Sequence, residues 1–175
     1  MNHGNNDHGR MHSNHISYDS KDSPSISTNN PGSTSSSQSN IYFVYGSLMD
    51  PSTLQSVLQT TFPPILHPAT LTGYHIKMWG SYPALLPSSP SSSVNGMGFE
   101  INAFEHAKQI QQRLEEYEGP NYKLRECIVE VRGRGDEEGK MVKARVFEWI
   151  GGEEELKEGV FDLKDYQMRK LEGKR

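Results

Sequence analysis

Cysteine is almost absent from this chain: Cys127 stands alone among 175 residues. No internal disulfide framework can form, and a lone thiol fits a reducing compartment. Long apolar runs are also missing. None approaches the length of a membrane span, and the N-terminus lacks the apolar core of a secretory signal. Asp7, Asp19 and Asp22 there, against the single Arg10, argue against a mitochondrial presequence. The expected location is cytoplasmic, with no membrane partner. A strong charge of either sign is lacking too. The net charge of −4 gives no broad basic surface, so no nucleic-acid partner is expected. No G-x-G-x-x-G follows Tyr45, no G-x-x-x-x-G-K-[ST] occurs, and no Cys/His cluster has structural-zinc spacing.

Large aliphatic residues are scarce in residues 1–40, where Ile16 and Ile26 stand among Ser, Asn, His and Gly. Such a segment cannot bury enough apolar surface to offset its ordering entropy, so it reads as a disordered tail. His3, His8, His12 and His15 lie in it at irregular spacing with no cysteine, which is not a metal-binding pattern.

A folded domain is expected over residues 41–150, followed by a charged extension over 151–175. Ile41–Tyr45 is a short apolar run, read as a buried strand. Asp50-Pro51 reads as an N-cap followed by Pro at the first helical position. Leu54, Val57 and Leu58 follow at helical spacing, and Pro63-Pro64 stops that helix. Ala69–Met78 reads as one strand, Ser81–Ser93 as a Pro/Ser-rich loop, and Gly96–Ile101 as a short strand. The glycines in that strand predict close backbone approach or a bulge. Asn102–Glu118 is the clearest helix, with Asn102 and Glu105 as a capping box. Its stripe is Phe104, Ala107, Ile110, Leu114 and Tyr117, and Gly119-Pro120 ends it. Lys123–Arg132 and Met141–Ile150 read as strands joined by the exposed loop Gly133–Lys140. Leu156, Val160, Leu163, Met168 and Leu171 allow a marginal terminal helix. Strands outnumber crossover helices, which disfavours a doubly wound parallel sheet. An α+β domain with a curled or barrel-like sheet fits better.

Two positions break local rules. At 100° per residue, Glu118 lies roughly 56° from the mean direction of its helix's apolar stripe. Glu116 points away from that stripe and Glu115 lies on its flank. Glu118 also sits in the last turn, where the helix dipole disfavours an anion. Burial would raise its pKa, which is what a general acid/base needs. It could instead pair with Arg125 or Lys123, or reach solvent as the helix frays. The second position is the turn Tyr45-Gly46-Ser47-Leu48. Successive backbone N–H groups at the end of a buried strand can form an anion-binding concavity. Asp50 would already occupy the helix N-terminus and repel an anion there, which leaves the loop amides. The plainer alternative is an ordinary turn with Gly46 at positive φ. Ser47 has no evident base among His67, His75 and His106, and Cys127 reads as a core residue within a strand.

FVYGSLMDPSTL, then YPALLP, then LEEYEGPNY about 70 residues after the first, and a closing VFEW occur in one order. Together they resemble the gamma-glutamylcyclotransferase-like, or AIG2-like, family over roughly residues 41–150. The resemblance implies a small mixed β-barrel with packed helices, and an acyltransferase/lyase that uses no metal or organic cofactor. Its substrates would be γ-glutamyl amines or γ-glutamyl amino acids, cyclised to 5-oxoproline with loss of the amine. Glu118 matches the family's catalytic glutamate. Tyr45, Gly46, Ser47 and Leu48 match its substrate-binding loop, Tyr82 and Pro83 match the loop bordering the pocket, and Tyr122 matches the tyrosine after the glutamate. Many members carry Tyr-x-Arg there, whereas Tyr122-Lys123-Leu124-Arg125 moves the arginine by one place, to the other face of a strand. A non-catalytic binding module of the same fold is the alternative, and either would be a monomer or homodimer.

Overall fold

The structure, a computed structural model, describes residues 40–101, 106–133 and 138–173. The tail with its four histidines, the Asn102/Glu105 capping box and Phe104 lie outside the described residues. Strand β1 (Ile41–Val44) leads through a short 3-10 turn, Ser47–Met49, into helix α1 (Pro51–Leu58). The strands that follow are β2 (His67–Thr72), β3 (Tyr74–Trp79), β4 (Tyr82–Pro87) and β5 (Ser93–Glu100). Helix α2 (Ala107–Glu118), strands β6 (Tyr122–Val131) and β7 (Lys140–Trp149), and helix α3 (Leu163–Leu171) complete the order.

Five strands close into a barrel in the order β1-β5-β2-β6-β7, and β3-β4 forms a separate two-stranded ribbon. The barrel is mixed: β1 runs parallel to β7, and the other barrel pairs are antiparallel. Strand β1 is buried on both faces. Phe43 and Tyr45 pack with strand residues such as Leu71, Val129 and Val146. Tyr42 and Val44 pack with Leu54 of α1 and with Ile110 and Leu114 of α2. An apolar run without alternation is the sequence trace of that double burial.

Two predicted elements change. The single strand over Ala69–Met78 breaks at Gly73, whose φ of +85° no β-branched neighbour could adopt cheaply. The loop predicted over Ser81–Ser93 instead contains β4, paired in full register with β3. Its centre, Ala84-Leu85-Leu86, is buried, which Pro83 and Pro87 obscured in the sequence. Those prolines are tolerated because β3 is the only strand that β4 pairs with in the ribbon. The marginal C-terminal helix is real: α3 is capped by Asp162, whose side chain accepts from the amides of Lys164 and Asp165. The close approach predicted at β5 is also present, since a Cβ at Gly96 would overlap the Val44 carbonyl.

Helix α2 buries Ile110 and Leu114 and leaves Tyr117 40% exposed. It ends at Gly119, whose φ is +81° and whose N–H bonds the Glu115 carbonyl. Among the described residues no helix is long and apolar enough to cross a membrane.

Candidate active site

The chain leaves β1 at the barrel rim and turns sharply at Gly46. Its φ is −129°, so left-handed backbone does not explain the glycine. Space does: a Cβ there would lie 2.8 Å from the Pro83 side chain on β4. Glycine lets the loop close against the ribbon. The Met49 amide donates to the Gly46 carbonyl at 2.9 Å, and the Asp50 amide to that of Ser47 at 3.0 Å. The amides of Ser47 and Leu48 come before the first bond of the turn and have no acceptor within it.

Asp50 then caps α1 as predicted, accepting from the Thr53 amide at 3.0 Å. It is also tied to α3, where Gln167 Nε2 donates to Oδ1 and Lys170 Nζ to Oδ2. Burial by itself would raise its pKa. Hydrogen bonds from Ser52, Lys170, Gln167 and Thr53 outweigh that and hold the carboxyl well below its usual range. Lys170 therefore offsets the charge that was expected to repel an anion from this helix end.

Glu118 closes α2. The residue as a whole is only partly covered, yet desolvation of its carboxyl raises the pKa from 4.5 to about 7. Neither Lys123 nor Arg125 pairs with it. Arg125 lies 3.6 Å from Glu148 on β7, so the shifted arginine serves an ion pair between neighbouring strands. Glu115 and Glu116 are exposed and accept from Gln111 and Gln112, one turn earlier.

All the predicted positions come together. The Tyr45–Leu48 loop, Tyr82, Pro83, Tyr122 and Glu118 line one cleft of about 630 Å³. Tyr82 and Pro83 reach it from the start of β4. Tyr122 donates to the Pro83 carbonyl at 3.2 Å, tying β6 to the ribbon. Tyr45 is fully committed: its buried hydroxyl donates to the Phe147 carbonyl at 2.6 Å. Burial raises the pKa of Tyr45 and Tyr122, and the nearby Glu118 charge adds to it. Among the described residues no histidine lines the cleft, and Ser47 bonds a tyrosine, so no serine–histidine arrangement is formed among them.

Sequence reasoning missed several wall residues. Tyr117 was assigned to the apolar stripe of α2, yet its hydroxyl lies 2.8 Å from Ser47 Oγ. Its place beside Glu118 was the available signal. Tyr166, Arg169 and Lys170 enter from α3, and nothing local in that charged segment marked them. Cys127 is partly buried in β6, and burial pushes its thiol up to about 12. Among the described residues no group of His, Cys, Asp or Glu could hold a metal ion.

The profile of the family described as gamma-glutamyl cyclotransferase, AIG2-like, matches residues 42–168 and so includes most of α3. No curated protein matches the chain. Two solved structures from Arabidopsis thaliana share the fold. At3g28950.1 is 24% identical with a TM-score of 0.54, covering 78% of this chain and 77% of that one. At5g39720.1 is 20% identical with a TM-score of 0.54, covering 79% and 89%. A yeast gamma-glutamyl cyclotransferase specific to glutathione is 16% identical with a TM-score of 0.48, covering 62% and 68%. With its closed mixed barrel, its helices and a profile match over most of its length, this chain belongs to the gamma-glutamyl cyclotransferase, AIG2-like family.

Proposed function

We propose that the chain is a gamma-glutamyl cyclotransferase that releases 5-oxoproline from a γ-glutamyl amine or γ-glutamyl amino acid. One observation carries the reading: Glu118, with its raised pKa, and the Gly46–Leu48 loop line the same cleft. The loop amides would hold the substrate's α-carboxylate. Glu118, ionised above about pH 7, would take a proton from the α-ammonium. The freed amine attacks the γ-carbonyl carbon, a C–N bond forms, and the ring closes through a tetrahedral intermediate. Glu118 then returns that proton to the departing nitrogen as the original amide C–N bond breaks, and the second proton shed by the ring nitrogen ends on the released amine as its ammonium. Atoms balance without water, metal or redox partner. Holding both reacting ends of one molecule supplies the proximity contribution. Tyr82, Pro83 and Tyr122 would shape the wall around the glutamyl chain. The lone cysteine fits action in the cytoplasm.

A panel of γ-glutamyl amides, read as 5-oxoproline formation, tests the reaction and finds the leaving amine. Wild-type protein is expected to turn over at least one member, and Glu118→Gln none. Turnover by folded Glu118→Gln at the wild-type rate would remove the acid/base assignment. The second reading, a binding module for a small carboxylate, has one observation in its favour: Arg125 is engaged with Glu148 and does not line the cleft. Saturable binding of γ-glutamyl compounds with no 5-oxoproline from any would favour that module.

A further inference from the structure

A γ-glutamyl amino acid carries three charged groups. Its α-ammonium and α-carboxylate belong to the glutamyl end, which faces Glu118 and the loop amides in the proposed reaction. The third is the carboxylate of the departing amino acid, and a γ-glutamyl amine lacks it. The α3 wall of the cleft distinguishes these two substrate classes.

Tyr166, Arg169 and Lys170 line the cleft from α3. Spacings of three and four residues put them on one face of the helix. The Tyr166 hydroxyl and Lys170 Nζ both reach Thr53 Oγ1, at 3.2 and 2.7 Å, which docks that face on the first turn of α1. Among the described residues the cleft lining holds one acid, Glu118, and two cations, Arg169 and Lys170. Its volume of about 630 Å³ leaves room for more than a glutamyl group.

The two cations differ in what they have left to give. An ammonium has three N–H donors. Lys170 directs them at Asp50 Oδ2, Ser52 Oγ and Thr53 Oγ1, at 2.9, 2.9 and 2.7 Å. It is saturated, and the buried Asp50 carboxylate balances its charge. A guanidinium has five donors in a planar fork. Arg169 Nη2 lies 3.0 Å from Asp165 Oδ2, and Nε donates to the Asp165 carbonyl at 3.4 Å. Asp165 thus holds one edge of the guanidinium. Its carboxylate is more than half exposed, so water screens the pair. The outer edge, Nη1 with Nη2, has the geometry to meet a ligand carboxylate with two parallel hydrogen bonds. Arg169 stands one residue beyond the stretch that matches the family profile, so the family likeness does not supply it.

We propose that Arg169 selects the leaving group: it receives the carboxylate of the departing amino acid, which makes a γ-glutamyl amino acid, and not a simple γ-glutamyl amine, the preferred substrate class. Arg169 acts away from the breaking bond, as a specificity residue and not as an acid or base. Lys170 is a positioning residue that keeps α3 docked on Asp50. The substrate class rests on the cyclotransferase reading, whereas a carboxylate subsite at Arg169 does not.

The test pair is γ-L-glutamyl-L-alanine and γ-L-glutamylethylamide, which differ by that one carboxylate. The wild type should favour the dipeptide about tenfold or more in kcat/KM. Arg169→Gln should lose about tenfold on the dipeptide, mostly through KM, and less than about twofold on the ethylamide. Arg169→Lys keeps the charge and loses the fork, so its loss should be intermediate, and it keeps the test open if the first variant does not fold. Calorimetry with the same two ligands on Glu118→Gln, with and without Arg169→Gln, reads binding apart from turnover. Equal losses for both ligands, or none, overturn the subsite. Arg169-dependent binding of the dipeptide, with no 5-oxoproline from any γ-glutamyl amide, would sink the cyclotransferase reading and leave the subsite standing. Turnover by the wild type with no Arg169-dependent discrimination would do the reverse.

Discussion

Two carboxylates sit at opposite helix ends around one loop, and their chemistry diverges. Asp50, at the N-terminus of α1, is 6% exposed, yet it stays ionised. Glu118, at the C-terminus of α2, keeps more contact with the cleft, yet its proton is held to about pH 7. Whole-residue exposure would rank them the other way, yet it is the Glu118 carboxyl that desolvation raises, and on Asp50 hydrogen-bond donors outweigh desolvation. Donors decide: Asp50 receives a backbone amide, two hydroxyls, an amide side chain and an ammonium. Among the described residues no hydrogen bond or ion pair to the Glu118 carboxylate is found. The helix dipole acts in the same sense, favouring an anion at the start of α1 and disfavouring one at the end of α2. The well-partnered acid holds the fold together, and the poorly partnered one is available for chemistry.

That contrast breaks most visibly at Glu118. Glu118→Gln should lower 5-oxoproline release about a thousandfold or more, measured as kcat with a substrate found in the panel. The same change should stabilise the protein at high pH. The folded pKa of about 7 lies above the ordinary 4.5, so the native state holds this proton more tightly than the unfolded chain. The stability this contributes is fully present below about pH 4.5 and is lost as pH rises through 7. Relative to wild type, Glu118→Gln should therefore gain up to about 3 kcal/mol between those limits, read from denaturant melts at pH 4.5 and pH 8. A pH-independent difference would show that Glu118 is already well solvated.

Asp50 should respond in the opposite sense. Asp50→Asn weakens the cap and strands Lys170, and should cost about 2–3 kcal/mol at pH 7. Its depressed pKa places that contribution above the ordinary value of 3.8, to be lost as pH falls through the folded pKa. The gap between wild type and variant should narrow on acidification. A gap that widened would mean that Lys170 gains nothing from the carboxylate.

Smaller effects probe what lies between the two acids. Gly46→Val must displace Pro83 and tilt the loop, so KM should rise several-fold, with kcat changed less. Unchanged KM and kcat in the folded variant would count against the loop amides as the carboxylate site. Smallest of all, Arg125→Gln removes a half-exposed ion pair worth about 0–1 kcal/mol, and kcat/KM should change less than twofold. A large loss there would give the shifted arginine a role in the reaction that its position does not explain.

Much of this was legible locally. The apolar run before Gly46, the Asp50-Pro51 start of α1 and the inward Glu118 are short-range patterns, governed by periodicity and capping. YPALLP was misread because a two-stranded ribbon tolerates prolines that a central strand would not. Tyr117 falls on the apolar stripe because helical spacing gives an angle and not the identity of what stands opposite.

The sequence by itself determined that a strand, a glycine turn and a capped helix follow one another, and that one acid faces the wrong way for a surface residue. Those features depend on neighbours a few positions apart, and backbone geometry dictates them. Only the tertiary structure decided that Gly46 is required by Pro83, that Lys170 neutralises Asp50, and that Tyr166 reaches Thr53 from more than 100 residues away. Such contacts arise where barrel closure and helix docking bring distant segments into register, and no local pattern encodes the partner across that distance.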